Sequence, residues 1–134
     1  MDTRSFRVLV SGSRDWEDKD SVRYYLDGLL DLADEEGWEI TLVHGACPTG
    51  ADSIADQWAM HRGINRERHP ADWDTFGKFA GPKRNQEMVD SGIDAAAFFI
   101  KNKSRGSEGT LKMVEEKKIP HFIMRVDAIN YDDD

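Results

Sequence analysis

Residues 42–59, LVHGACPTGADSIADQWA, change character halfway, and that change decides the fold. Three of the first four residues suit a buried strand. Ala51, Ile54, Ala55, Trp58 and Ala59 then recur at helical spacing, and Gly63 stops the pattern. Between them lies GACPTGAD, a turn with two glycines, a proline and no bulky side chain. A strand that enters a helix through so bare a turn is the first half of a βαβ unit.

The rest of the chain repeats this alternation. FRVLVSG (6–12), EITLVHG (39–45), DAAAFFI (94–100) and HFIMRV (121–126) have the length of strands buried on both faces of a parallel sheet. INRERHP (64–70) is too charged to be central and suits an edge strand. Val22, Tyr25, Leu26, Leu29, Leu30 and Ala33 keep helical spacing up to Gly37. A third helix is expected from Pro82 to a stop at Gly92, with Met88 in the core. A fourth is expected over TLKMVEEKK (110–118), halted before Pro120. Right-handed crossovers then give one α/β, Rossmann-like, doubly wound, mainly parallel sheet of about five strands with helices on both faces. Residues 1–128 are expected to form this single domain, and 129–134 an acidic tail.

Composition narrows the function. A net charge of −8 argues against a general nucleic-acid binder, although KFAGPKRN and IKNKSRG are cationic islands beside glycine loops. Lys78 and Lys83 are expected in solvent. No run approaches the roughly 18 apolar residues of a membrane helix. The N-terminus lacks the order of a signal peptide, so a cytoplasmic chain beginning at Met1 is expected. Cys47 is the single cysteine, so no intramolecular disulfide forms, and a small loop residue is expected there rather than a nucleophile. His44, His61, His69 and His121 make no tight pair with cysteine or carboxylates, so neither a metal nor a required cofactor is expected.

In open α/β sheets ligands bind outside the carboxyl ends of the strands. The junctions there are SGSRDW, HGACPTGAD, HPADWDTFGKFAGPKRN and NKSRGSEGT. A glycine-containing loop that opens a helix aims N–H groups at one spot, and the helix partial charge favours an anion such as phosphate. Gly45, Thr49, Gly50 and Ala51 form one candidate wall. Gly106, Ser107, Gly109 and Thr110 form a second, before the last helix. Gly12, Ser13 and Arg14 form a third, where Arg14 offers a planar fork for phosphate or carboxylate. Asp52 either balances the helix dipole or binds a ribose hydroxyl or base edge. Trp73 either stacks on a base or covers the sheet edge, beside Asp72 as an acceptor for ribose or base. Arg84 and Asn85 put a cation in the first turn of the third helix. Three such loops on one rim read as a nucleotide site.

VLVSGSRDW, LVHGACPTGADSIADQWA, PADWDTFGKFAGPKRNQEMV and GSEGT, taken in order, resemble the SLOG superfamily of Rossmann-like proteins. The resemblance runs from Val8 to about Glu116 and is greatest to its small stand-alone branch related to YspA and cpYpsA. It implies a nucleotide or nucleotide-derived ligand of the NAD, ADP-ribose or mononucleotide class. Phage or bacterial genomes are typical sources, which would make the location a host cytoplasm if the chain is phage-encoded. The superfamily includes the LOG enzymes, which cleave the N-glycosidic bond of nucleoside monophosphates. Their motif looks like P-G-G-x-G-T-x-x-E, completed by an arginine for which Arg84 could stand. Here the corresponding run is SRGSEGTLKM: the leading proline is absent, and Met113, beside Lys112, stands where the catalytic glutamate belongs. That chemistry needs a carboxylate, for which Asp72 or Glu108 would have to substitute.

A nucleotide-binding or sensing module is therefore expected first. A nucleotide N-glycosidase using Arg84 with Asp72 or Glu108 is the alternative, and a nucleic-acid binder of the DprA kind a distant third. Trp58, Met60 and the Tyr24–Tyr25 pair leave apolar surface to cover, and a homodimer or larger homo-oligomer is expected from them.

Overall fold

The computed structural model describes residues 4–127, so the expected acidic tail lies outside the described residues. The strands are β1 (Arg4–Gly12), β2 (Trp38–His44), β3 (Asn65–Arg68), β4 (Ala95–Lys101) and β5 (His121–Val126). The helices are α1 (Lys19–Glu36), α2 (Gly50–Arg62), α3 (Trp73–Phe76), α4 (Ala80–Asp90) and α5 (Arg105–Glu116), with a 3-10 turn at Gly77–Phe79 between α3 and α4. The strands form one sheet in the order β3-β2-β1-β4-β5, and every neighbouring pair is parallel.

The two-residue alternation of a strand explains the two cores. Val10, Leu42, Ala97 and Phe99 point to the face covered by α1 and α2, where they meet Leu26, Ile54, Ala55 and Trp58. Leu9, Val43, Ala96, Phe98 and Ile100 point to the other face and meet Met88 and Val89 of α4 and Leu111 and Val114 of α5. Both layers rest on fully buried strand residues, as a parallel sheet requires. The charged β3 is an edge strand. α1 and α2 end on Gly37 and Gly63, each left-handed with its N–H returned to carbonyls of the last turn.

Two helix starts differ from the sequence expectation. α5 begins at Arg105 rather than Thr110, so RGSEGT is a first helical turn and not a loop before the helix. Its glycines are outweighed by packing: Ser107, Thr110, Leu111 and Val114 fall on one buried stripe, and the Glu108 N–H already bonds to the Ser104 carbonyl at 2.9 Å. α4 begins at Ala80 because α3 and the 3-10 turn lead straight into it. Pro82 then sits third in the helix, where a missing N–H breaks no intrahelical bond.

The surface expected to drive dimerisation is smaller than the sequence implied. Trp58 is buried, with its indole N–H on Asp27 Oδ1 at 2.8 Å. Tyr25 stacks on Phe122 at 4.6 Å, and burial pushes its hydroxyl pKa up. Both serve the core, which leaves Tyr24 and Met60 exposed. Among the described residues, no helix is long and apolar enough to cross a membrane.

Candidate functional site

The strand order reverses between β1 and β4, and the crossovers leave to opposite faces there. A cleft of about 800 Å³ opens at the carboxyl ends of the strands, lined from all four junctions. That volume lies within the range of small-molecule sites, about 300–1,000 Å³.

The β1 junction supplies Gly12, Ser13 and Arg14 to the lining. Gly12 is needed for packing: a Cβ there would lie 2.4 Å from the Phe99 carbonyl oxygen. The Ser13 hydroxyl donates to the Lys101 carbonyl at 3.2 Å and accepts from the Lys101 N–H at 2.7 Å. Ser13 thus clamps β1 to β4, and its hydroxyl is already engaged. Arg14 is exposed on the cleft wall.

The α2 junction is closed upon itself. Asp52 Oδ2 accepts the N–H of Gly45 at 3.1 Å and of Cys47 at 3.3 Å, and His44 Nδ1 accepts that of Ala46 at 3.0 Å. These three amides, expected from the sequence to face a ligand, are answered within the turn. Burial pushes the Asp52 carboxyl pKa up, opposed by the positive charge of Arg84, by the two amides and by any proton that His44 gains. Gly50, at φ 75, packs against the backbone of the β1 junction: a Cβ would stand 2.1 Å from the Ser13 carbonyl oxygen. Gly50 and Ala51 are not part of the lining, whereas Gly45, Cys47, Thr49 and Asp52 are. Thr49, at the N-cap, makes no side-chain cap bond.

The α5 start is open. Gly106 and Ser107 line the cleft, and a Cβ on Gly106 would meet nothing within 4 Å. Ser104, at the N-cap, makes no side-chain cap bond, so the first-turn amides have no side-chain acceptor from it. Ser107 is only 4% exposed, yet among the described residues no group hydrogen-bonds its hydroxyl, which keeps some exposure. Gly109 and Thr110 lie away from the lining, and the Thr110 hydroxyl donates back to the Gly106 carbonyl at 3.0 Å. Met113 packs on the α4–α5 core.

The carboxylates considered for catalysis are elsewhere. Glu108 pairs with Arg125, a hydrogen bond that holds its carboxyl below the usual range. Asp72 caps α3, accepting the Thr75 N–H at 3.1 Å. Neither belongs to the lining. Trp73 does, at half exposure, with its ring over Gly81 of α4, where a Cβ would stand 3.3 Å away. Arg84 is half-buried in the cleft wall beside Asn85, whose Oδ1 accepts its Nε at 2.7 Å. Its Nη1 donates to the carbonyls of Gly45 and of His69. Burial lowers the Arg84 pKa, Asp52 and Cys47 oppose this, and Arg14 adds to it, so the two guanidiniums feel each other.

The sequence marked IKNKSRG as a cationic island beside a glycine loop without singling out Lys101, Asn102 or Ser104, which line the α5 side of the cleft, and it gave His44, beneath the cleft, no role. His44 is buried at the end of β2, with Nε2 on Asp56 Oδ1 at 2.7 Å. A polar residue ending the buried run TLVH was the available signal. Among the described residues, no group of three or more His, Cys, Asp or Glu is placed to hold a metal ion.

Fold and cleft together define a Rossmann-like α/β protein with a cleft of small-molecule size at its topological switch point. The chain belongs to the YspA, cpYpsA-related SLOG family, whose model matches residues 6–76. It is 39% identical over 119 residues to the Gene 61 protein of Mycobacterium phage D29, covering 85% of this chain and 92% of that protein. The family match runs from β1 through α3, so Arg84 and the α5 start lie beyond it.

Proposed function

We propose that the cleft binds a nucleotide or nucleotide-derived ligand of the mononucleotide, ADP-ribose or NAD class, as a binding or sensing module. The observation that carries this is Ser107: a serine almost wholly buried, on the cleft wall and in the first turn of a twelve-residue helix, whose hydroxyl has no hydrogen-bond partner among the described residues and keeps some exposure. A phosphate there would take that hydroxyl and the open first-turn amides, with helix polarity in its favour. Arg14 and Arg84 supply charge across the cleft, and Trp73 offers a face for a base. Membership of the SLOG family supports a nucleotide-related ligand. Asp72 and Glu108 are engaged outside the lining, so no glycosidic cleavage is part of the proposal. The phage origin of the relative supports a host cytoplasm as the place of action.

Thermal shift against AMP, ADP-ribose and NAD tests the reading. A ligand at about 100 times its Kd stabilises by about 2.7 kcal/mol. Ser107→Ala and Arg14→Ala should each weaken binding by about tenfold or more, the usual worth of a hydrogen bond to a charged group. Absence of stabilisation by every one of these ligands would overturn the proposal.

A further inference from the structure

The α2 wall of the cleft hangs from one buried ring. The Ala46 amide can only donate, so His44 Nδ1, 3.0 Å away, must present a lone pair. The proton of a neutral ring then sits on Nε2 and is donated to Asp56 Oδ1 at 2.7 Å. Asp56 is fixed as acceptor by Arg66, which holds its other oxygen at 2.7 Å. With its amide so held, Ala46 keeps φ 57, a left-handed conformation unusual for alanine. That bend turns the Gly45 and Cys47 amides onto Asp52 and the Gly45 carbonyl onto Arg84 Nη1.

We propose that His44 is the positioning residue of the cleft: its neutral ring, protonated on Nε2, holds turn 45–47 in the form that seats Arg84, so acidification unseats Arg84 and weakens binding of a phosphate-bearing ligand. A second proton would go to Nδ1 and set an N–H against the Ala46 N–H, which removes the bond and replaces it with repulsion. Titratable and charged groups surround the ring from several elements. From α2 come Asp56 and Asp52; from β3, Arg66 and Arg68, the latter the strand partner of His44. The turn contributes Cys47, and α4 contributes Arg84 at the next carbonyl. Asp56 alone contacts the ring, and it accepts the Nε2 proton in either state, so the change on protonation falls on Nδ1 and the turn.

The binding half of this inference rests on the nucleotide reading above; the positioning half does not. Nitrogen NMR of the ligand-free protein at about pH 7.5 should show His44 protonated on Nε2 alone, and a ring carrying its proton on Nδ1 would overturn the inference. On acidification the Ala46 amide and Arg84 Nε signals should shift with the same midpoint as the His44 ring. Independent titration would also overturn it. ADP-ribose, whose diphosphate diester keeps its charge, is the probe for binding. Its Kd should rise about tenfold or more across the pH interval in which the NMR titration shows the His44 ring taking its second proton. His44→Asn, which keeps an acceptor near the Nδ1 position and cannot titrate, should bind within about threefold of the parent at about pH 8 and lose the pH dependence. An equal pH dependence in parent and variant would refute the role of His44. If the parent binds no nucleotide at either end of that interval, the nucleotide reading fails, and the NMR titration alone decides His44.

Discussion

The starts of α2 and α5 border the same cleft and use their amides in opposite ways. At α2, Asp52 and His44 take the three amides of turn 45–47, and Gly50 presses on the Ser13 backbone. At α5, Ser104 makes no side-chain cap bond, the Ser107 hydroxyl has no partner among the described residues, and Gly106 looks into open space. One glycine-rich helix start is a packing device that shapes a wall. The other is free to hold something. Glycine serves close approach of backbone in the first case and an unobstructed approach from solvent in the second.

The largest effect that would break this contrast is at Gly50. Gly50→Ala combines a left-handed conformation, costing about 1–2 kcal/mol, with a backbone clash of the overpacking kind, about 1–3 kcal/mol more. Urea unfolding should show a loss of about 3 kcal/mol. A variant as stable as the parent would mean that the α2 start is not packed as described. Next is Asp52→Ala, which leaves the Gly45 and Cys47 amides without their acceptor. The expected loss is about 2 kcal/mol. It stays near that figure because burial raises the Asp52 pKa, so its charged form already opposes folding. Asp52→Asn, which keeps an acceptor oxygen, should lose less, and equal losses would show that the two amides are not what Asp52 serves.

A smaller effect sharpens the contrast through pH. Glu67 accepts both Arg7 Nη groups and the His69 ring, and the Arg7 hydrogen bond leads in lowering its pKa from 4.5 to about 2. A carboxylate depressed on folding contributes stability in full above its unfolded value. That contribution is lost as pH falls from about 4.5 towards about 2. Because the Glu67 side chain is 38% exposed, screening reduces it to about 1 kcal/mol or less. His69 gives its carbonyl to Arg84, so the loss falls on the α2 side of the cleft. In a His44→Asn background, which removes the ring's own response to acid, hydrogen exchange at about pH 3 should loosen turn 45–47 before the first turn of α5, and adding Glu67→Gln should remove the difference between about pH 5 and about pH 3.

The sheet and its helices were legible because burial leaves a periodic trace. VLV, TLV and AAAFF mark strands covered on both faces, and Gly37 and Gly63 stop helices where the trace stops. The α5 start was not legible. Gly106 and Gly109 lower helix propensity locally, and the stripe that restores it includes Ser107 and Thr110, which do not count as apolar. Nor could spacing distinguish Gly50 from Gly106, since the difference lies in what stands opposite each one. Asp72 and Glu108 show the same limit for carboxylates: each sits beside a candidate motif, and each is turned to a partner outside the lining.

The smallest effect is the sharpest test of the open side. Gly106 is the second residue of α5, with helical backbone and no neighbour within 4 Å of a built Cβ. Replacing glycine by alanine in a helix gains up to about 1 kcal/mol, and less in a first turn. Gly106→Ala should therefore leave stability unchanged or raise it slightly in a urea titration. Gly106 belongs to the cleft lining, so any ligand held by the first-turn amides should bind more weakly in the same variant. Gly109→Ala, on the same helix but away from the lining, should share the effect on stability and leave binding untouched. A Gly106→Ala variant destabilised by more than about 1 kcal/mol would show the α5 start to be packed like that of α2, and the division of the cleft into a closed and an open wall would fall.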